Sequence, residues 1–148
     1  MTPPKILPPH YFVLSLALII GIGFLEEGML LPSPWPYLGT LPILIGVLAA
    51  AQGSRLFARA GTNIIPFTES TALVTSGIFS FSRNPMYSGM VLALAGTALI
   101  MNGLFAWLVV IAFTAIIRGV FIRTEERLME ETFGADYLAY KNTVRRWI

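Results

Sequence analysis

The chain contains no cysteine and a single histidine, His10, and only 12% of its 148 residues are charged. The absence of cysteine excludes disulfides, zinc thiolate sites and cysteine nucleophiles. One histidine leaves no basis for a histidine metal cluster or a Ser-His-Asp triad. The net charge of +2 is too small to indicate nucleic-acid binding. These absences remove most classes of soluble enzyme site.

The composition instead indicates a protein that lies in a lipid bilayer. Apolar residues make up 55% of the chain and its mean hydropathy is +0.72, whereas soluble domains carry about 25% charged residues. Four apolar stretches suggest membrane helices, and they cover Tyr11–Leu31, Tyr37–Phe57, Met86–Met101 and Leu104–Ile122. The first, second and fourth have the length that a spanning helix needs, whereas the third is short. The first is too long for a signal peptide and lacks a small-x-small cleavage site. We therefore predict an all-α fold, an integral membrane bundle of four transmembrane helices.

The positions of the basic residues predict how this bundle is oriented. All ten lie before the first helix, between helices two and three, or near and after the end of helix four. They are Lys5, Arg55, Arg59, Arg83, Arg118, Arg123, Arg127, Lys141, Arg145 and Arg146. Because positive charge favours the cytoplasmic side, both termini are predicted to be cytoplasmic. An even number of helices agrees with this.

The predicted organisation is a single domain, residues 1–148. It comprises an N-terminal helix pair (1–58), a cytoplasmic loop (59–85), a helical hairpin turning at Asn102-Gly103 (86–123) and a cytoplasmic tail (124–148) with interfacial helices. Small residues on helices two and three, such as Gly46 and Gly89, predict close helix packing. Glu26 and Glu27 are interpreted as solvated groups at the outer interface.

Two charged or polar segments are not explained by membrane crossing alone. Asn84 is predicted to cap helix three and Pro85 to be its first residue, and a helix N-terminus is also a ready anion site. Arg118 and Glu125 are seven residues apart, which predicts that they share a helix face. Arg123 and Glu126 lie close by. Ionisable groups near a membrane bundle are frequently functional.

The tail has a different pattern. Gly134 is predicted to end one helix. Tyr137, Tyr140 and Trp147 are interpreted as aromatic anchors at the membrane surface. Docking of this segment over the cytoplasmic face would also let it serve as a lid.

Four motifs in this order resemble the isoprenylcysteine carboxyl methyltransferase and phospholipid methyltransferase family. The resemblance covers about half of the chain, from Leu73 to Arg146. It rests on Leu73-Val74-Thr75-Ser76-Gly77, Arg83-Asn84-Pro85-Met86-Tyr87, Glu125-Glu126 and Phe133-Gly134-x-x-Tyr137-x-x-Tyr140. It implies S-adenosylmethionine as the cofactor and a lipid-like or amphiphilic small molecule as the methyl acceptor, with membrane lipids as surroundings and no nucleic acid. The cofactor contacts that it implies are Leu73, Val74, Phe79, Asn84, Pro85, Met86, Tyr87 and Glu125.

The sequence departs from the family pattern at two positions. Asn84 stands where the family often has histidine, so an acid–base role there is in doubt. Phe121 stands where the prenylcysteine enzymes have a substrate-binding arginine, for which Arg118 or Arg123 could substitute. Glu126 is the candidate base if the acceptor is an amine, whereas a carboxylate or thiolate acceptor needs no base.

Two other functions stay open at this point. The chain could be a non-catalytic four-helix assembly or sensor module that has kept the fold without the chemistry. A small transporter is the weaker alternative, because the hairpin has no polar stripe and the two halves show no inverted repeat. The oligomeric state does not follow from the sequence, although the small-residue faces would permit a dimer.

Overall fold

The computed structural model describes residues 6–63, 65–68 and 70–147, and every regular element in these ranges is helical. This confirms the all-α class. Lys5, used above for the orientation, and Ile148 lie outside the described residues. The five α-helices are α1 (Pro8–Leu25), α2 (Thr40–Arg59), α3 (Pro85–Met101), α4 (Leu104–Ile116) and α5 (Arg123–Thr143).

Helix α1 ends six residues earlier than the apolar stretch Tyr11–Leu31 predicts, because the chain after Leu25 bonds to the α3–α4 turn. Asn102 accepts from the Leu31 amide through Oδ1 at 2.9 Å and donates from Nδ2 to the Leu31 carbonyl at 2.7 Å. Glu26 accepts from the amide of Leu104 at 2.8 Å. Glu26 therefore caps the start of α4 from a partly exposed position, a contact that its interpretation as a solvated interfacial group did not include.

Helices α2 and α3 pack with their backbones in close contact, as the small-residue faces predict. A methyl group added at Gly46 would overlap the carbonyl oxygen of Gly89, and one added at Gly39 would overlap that of Gly96. The pairs run in opposite chain directions seven residues apart, so the helices are antiparallel. Only glycine permits this approach.

The last three helical segments form one long rod. A π-helical turn, Ile117–Ile122, joins α4 directly to α5. Gly134 has φ 52° and ψ −121°, which are not helical values, so a kink there separates the first part of α5 from the part that ends at Thr143. The predicted end of a helix at Gly134 is therefore confirmed. The rod carries buried apolar side chains in α4 and the π turn, which pack against α1 and α3.

Three described helices are long and apolar enough to cross a membrane, namely Pro8–Leu25, Trp35–Arg59 and the rod Leu104–Thr143. In the rod, Arg118 is the first charged residue, and charged residues become frequent from Arg123 onward, so the apolar part ends at about Ile122. Helix α3 has 17 residues, the lower limit of the usual length for a span. The fourth span, the domain subdivision and the orientation of the termini therefore stay predictions.

Candidate active site

A cleft opens between the loop before α3, the first turn of α3 and the start of α5. It is partly open to solvent and has a cavity volume of about 110 Å³, which is below the about 300–1,000 Å³ of typical small-molecule pockets. All eight residues implied to contact the cofactor line it: Leu73, Val74, Phe79, Asn84, Pro85, Met86, Tyr87 and Glu125. Glu126 lines it as well. The folded chain thus collects side chains that are up to 53 positions apart in sequence, from Leu73 to Glu126.

The first turn of α3 forms one end of the cleft. Pro85 is the first helical residue, as predicted, and the Asn84 carbonyl accepts the amide of Ser88 at 2.9 Å. The Asn84 side chain does not cap the helix, because its Nδ2 donates instead to the carbonyl of Arg146 at 3.0 Å. The amides of the first turn are therefore left without a side-chain cap, so an anionic ligand group can bind there.

Tyr87 and Glu125 meet inside the cleft. The Tyr87 hydroxyl donates to Oε1 of Glu125 at 2.7 Å. Burial raises the pKa of Glu125 to about 7, although the hydrogen bond from Tyr87 acts in the opposite direction. A carboxyl group with this pKa changes charge near neutral pH, which is common at functional sites.

The neighbouring Glu126 has the opposite environment. Arg83 donates to its Oε1 at 2.9 Å, and Arg146 donates to its Oε2 at 2.6 Å. Burial alone would raise the pKa of Glu126, but the hydrogen bond from Arg146 and the charge of Arg83 outweigh it, so the pKa lies below its ordinary value. A carboxylate held in this way is a weak proton acceptor. We call the group formed by Arg83, Glu126 and Arg146 the clamp.

This clamp ties the C-terminal segment to the cleft wall. The guanidinium group of Arg83 donates to the carbonyl of Lys141 at 2.8 Å, and the amide of Arg83 donates to the carbonyl of Arg145 at 2.9 Å. Tyr140 donates from its hydroxyl to the carbonyl of Phe79 at 2.6 Å. The segment after Gly134 is therefore docked on the cleft.

Two predicted catalytic arginines lie elsewhere. Arg118 and Arg123 are exposed and are not among the residues that line the cleft. Phe121, between them, is 1% exposed, and its ring stacks on that of Phe67 with centroids 5.7 Å apart. The position at which an arginine was considered is thus filled by an aromatic pair.

Sequence reasoning missed several residues of the cleft wall. Tyr137 and Tyr140 are 4% and 8% exposed and line the cleft, so their interpretation as membrane anchors is wrong. Others that it missed are Phe57, Phe67, Leu128, Met129 and Thr132. The last three follow Glu125 at intervals of three, four and seven, which is the spacing of one helix face and could have identified them.

Comparison with known proteins agrees with this site. The profile described as phospholipid methyltransferase matches residues 35–136. The chain belongs to the phospholipid methyltransferase family. This confirms the resemblance found in the sequence motifs, and the match also includes α2, which those motifs do not reach.

Two curated proteins are similar to this member of the family. An uncharacterized protein of Haemophilus influenzae is 40% identical over 63 residues, which cover 43% of this chain and all of that protein. Protein-S-isoprenylcysteine O-methyltransferase of Saccharomyces cerevisiae is 30% identical over 112 residues, which cover 72% of this chain and 46% of that protein. No solved structure gives a significant match. The family and the yeast relative indicate a membrane methyltransferase of the phospholipid and isoprenylcysteine type.

Proposed function

We propose that this chain transfers a methyl group from S-adenosylmethionine to a lipid-like or otherwise apolar acceptor at the cytoplasmic face of a membrane. The observation that carries the proposal is the cleft. It brings together the eight residues that the family resemblance implies for the cofactor, in a chain with several apolar helices.

The residues of the cleft fit this cofactor. Arg83 lines the cleft with 8% of its side chain exposed, and its Nε is a buried atom without a hydrogen-bond partner among the described residues. Together with the uncapped amides of α3, this donor suits a carboxylate group. Glu125 offers an acceptor for hydroxyl or amino groups. The aromatic rings of Phe79 and Tyr87 suit a cationic sulfonium.

When bound, S-adenosylmethionine supplies a methyl group that passes to the nucleophilic atom of the acceptor as the carbon–sulfur bond breaks. The chain's own residues then have to align the two reactants, and alignment can contribute about 7–11 kcal/mol to lowering the barrier. The clamp of Arg83, Glu126 and Arg146 holds the cleft wall in place for this. Apolar and aromatic residues of the cleft keep water from the nucleophile.

An amine acceptor requires a base, whereas a carboxylate or thiolate acceptor does not. Glu125 is better suited than Glu126 to take that proton, because its pKa of about 7 lies near neutral pH. Both oxygens of Glu126 already accept bonds from guanidinium groups. In this proposal, Glu126 therefore positions the clamp.

The proposal includes four membrane crossings with both termini in the cytoplasm. In the sequence, the two loops on the opposite side carry no lysine or arginine, which favours this orientation. The cleft would then face the cytoplasm at the inner leaflet, where the cofactor is dissolved and the acceptor is membrane-bound.

The experiment is transfer of tritiated methyl groups into total membrane lipids and small amphiphiles by the purified chain. We expect Glu125→Gln to lower the transfer at least about tenfold, since an ionic hydrogen bond is worth about 1.5–3 kcal/mol. Arg127→Gln is the control, because Arg127 is exposed and, among the described residues, its only ion-pair partner is the exposed Glu131. Equal transfer by the Glu125→Gln variant would remove Glu125 from the proposed site, and no transfer by the folded wild type would argue for the non-catalytic module.

A further inference from the structure

Phe67 has a backbone conformation that large side chains rarely adopt. Its φ is 63°, in the left-handed region, where a bulky residue is an outlier. It lies in the loop between α2 and α3 and lines the cleft. Conformational strain of this kind concentrates at ligand-binding and switch positions.

The ring of Phe67 separates the cleft from an aromatic group on the α1 side. It stacks on Phe121 with an angle of 6° between the ring planes, and Tyr11 of α1 contacts the same Phe121 edge-on at 5.8 Å. Phe121 is 1% exposed and does not line the cleft itself. Moving the Phe67 ring would therefore extend the cleft to Phe121 and Tyr11, toward a helix apolar enough to cross the membrane.

The segment 65–68 contacts the helices through side-chain packing. Among the described residues, no hydrogen bond joins this segment to the helices. Within this segment the amide and hydroxyl of Thr68 both donate to the carbonyl of Ile65. Nearer the helices, Thr71 donates to Thr62 and Gly61, which joins the two sides of the loop. The ring of Phe67 can therefore move away from Phe121 without breaking a described bond to the bundle.

The surroundings of Phe67 favour an acceptor group that is apolar and uncharged. The charged side chains among the described lining residues of the cleft are Arg83, Glu125 and Glu126. Arg83 belongs to the clamp, in which Arg83 and Arg146 share the carboxylate of Glu126, and its Nε is assigned above to the cofactor. The ring contacts described beside Phe67 are aromatic, so an anionic group placed there would lose its hydration without gaining an ion pair from them.

We infer, on the basis of the proposed function, that Phe67 is a specificity-determining residue that closes the acceptor end of the cleft. The acceptor's uncharged apolar group replaces the Phe67 ring against Phe121, entering from the α1 side, and acceptors with an anionic group at this position are rejected.

The absence of native cysteine permits a direct test with Phe121→Cys in the full chain in detergent micelles. N-ethylmaleimide should label this cysteine slowly. Adding Phe67→Ala should raise the labelling rate at least about tenfold, because the Phe67 ring, which must otherwise move away from position 121 before labelling, has been removed. Ile65→Ala is the matched control, since this side chain of the same segment is 46% exposed; it should change the rate less than about twofold. Tyr11→Cys replaces Phe121→Cys if the latter does not fold.

The nature of the acceptor is tested in the Phe67→Ala background. Dodecanol should protect the cysteine from labelling, and dodecanoate at the same concentration should protect it at least about fivefold less, because the carboxylate finds no counter-charge. Equal labelling with and without Phe67, or equal protection by the two amphiphiles, overturns the inference. Binding of S-adenosylhomocysteine to the wild type is measured separately, so failure of the proposed function is distinguishable from failure of the inference about Phe67.

Discussion

Glu125 and Glu126 are adjacent in sequence, yet their surroundings give them different chemistry. Glu125 faces the cleft with a hydroxyl as its hydrogen-bond partner, and Glu126 is held between two guanidinium groups. Environment sets the role of a carboxyl group more than its residue type does. The pair is therefore best described as one ligand-facing group and one positioning group.

The raised pKa of Glu125 predicts a pH-dependent affinity for S-adenosylhomocysteine. If the ionised carboxylate accepts hydrogen bonds from the ligand, the affinity should fall about tenfold from pH 8 to pH 6, because the group is protonated below its pKa of about 7. Titration calorimetry at several pH values measures this. Glu125→Gln should remove the dependence, and an unchanged profile in that variant would assign it to another group.

The same shift has a consequence for the ligand-free protein. The native state retains a proton on Glu125 between pH 4.5, its ordinary pKa, and about pH 7. Stability contributed by this group is therefore present below pH 4.5 and is lost as the pH rises through 7. A ligand that pairs with the Glu125 carboxylate would compensate for this loss of stability at higher pH.

At the scale of the elements, the π turn explains why Arg118 and Glu125 do not share a face. A spacing of seven predicts a common face only in a regular α-helix. The segment Ile117–Ile122 has more residues per turn, which changes the angular position of everything after it. The sequence carries no clear sign of a π turn, so the exposure of Arg118 could not be predicted.

Other elements were predictable because a local rule decided them. Asn84-Pro85 predicted the start of α3, and Asn102-Gly103 predicted the hairpin turn, where Asn102 has φ 59°. The end of α1 was not predictable, because Glu26 bonds to a segment 78 residues away. The periodicity of a sequence does not reveal long-range hydrogen-bond partners of this kind.

Close packing of α2 on α3 makes a prediction about stability. Gly46→Ala should lower the free energy of unfolding by about 1–3 kcal/mol, because the new methyl group overlaps the backbone of Gly89 and forces a helix shift. Gly21→Ala in α1 is the control, since nothing lies within 4 Å of a methyl group there. Thermal unfolding in detergent compares them, and equal melting temperatures would contradict the described packing.

At the scale of the whole molecule, the cleft depends on three parts of the chain that meet at one end of the bundle. The loop before α3 supplies Leu73 and Val74, the start of α3 supplies Tyr87, and α5 supplies Glu125. The C-terminal segment fastens this end through Arg146. Sequence motifs predicted which residues gather here, but the docking of Tyr137 and Tyr140 required the kink at Gly134 in three dimensions.

Isothermal titration of the detergent-purified chain with S-adenosylhomocysteine tests the central claim, that this cleft is a cofactor site. We predict saturable binding of one ligand per chain. Tyr87→Phe or Glu125→Gln should weaken it at least about tenfold, which corresponds to about 1.4 kcal/mol, and Arg127→Gln should leave it unchanged. Absence of binding to protein shown to be folded by circular dichroism would contradict the account.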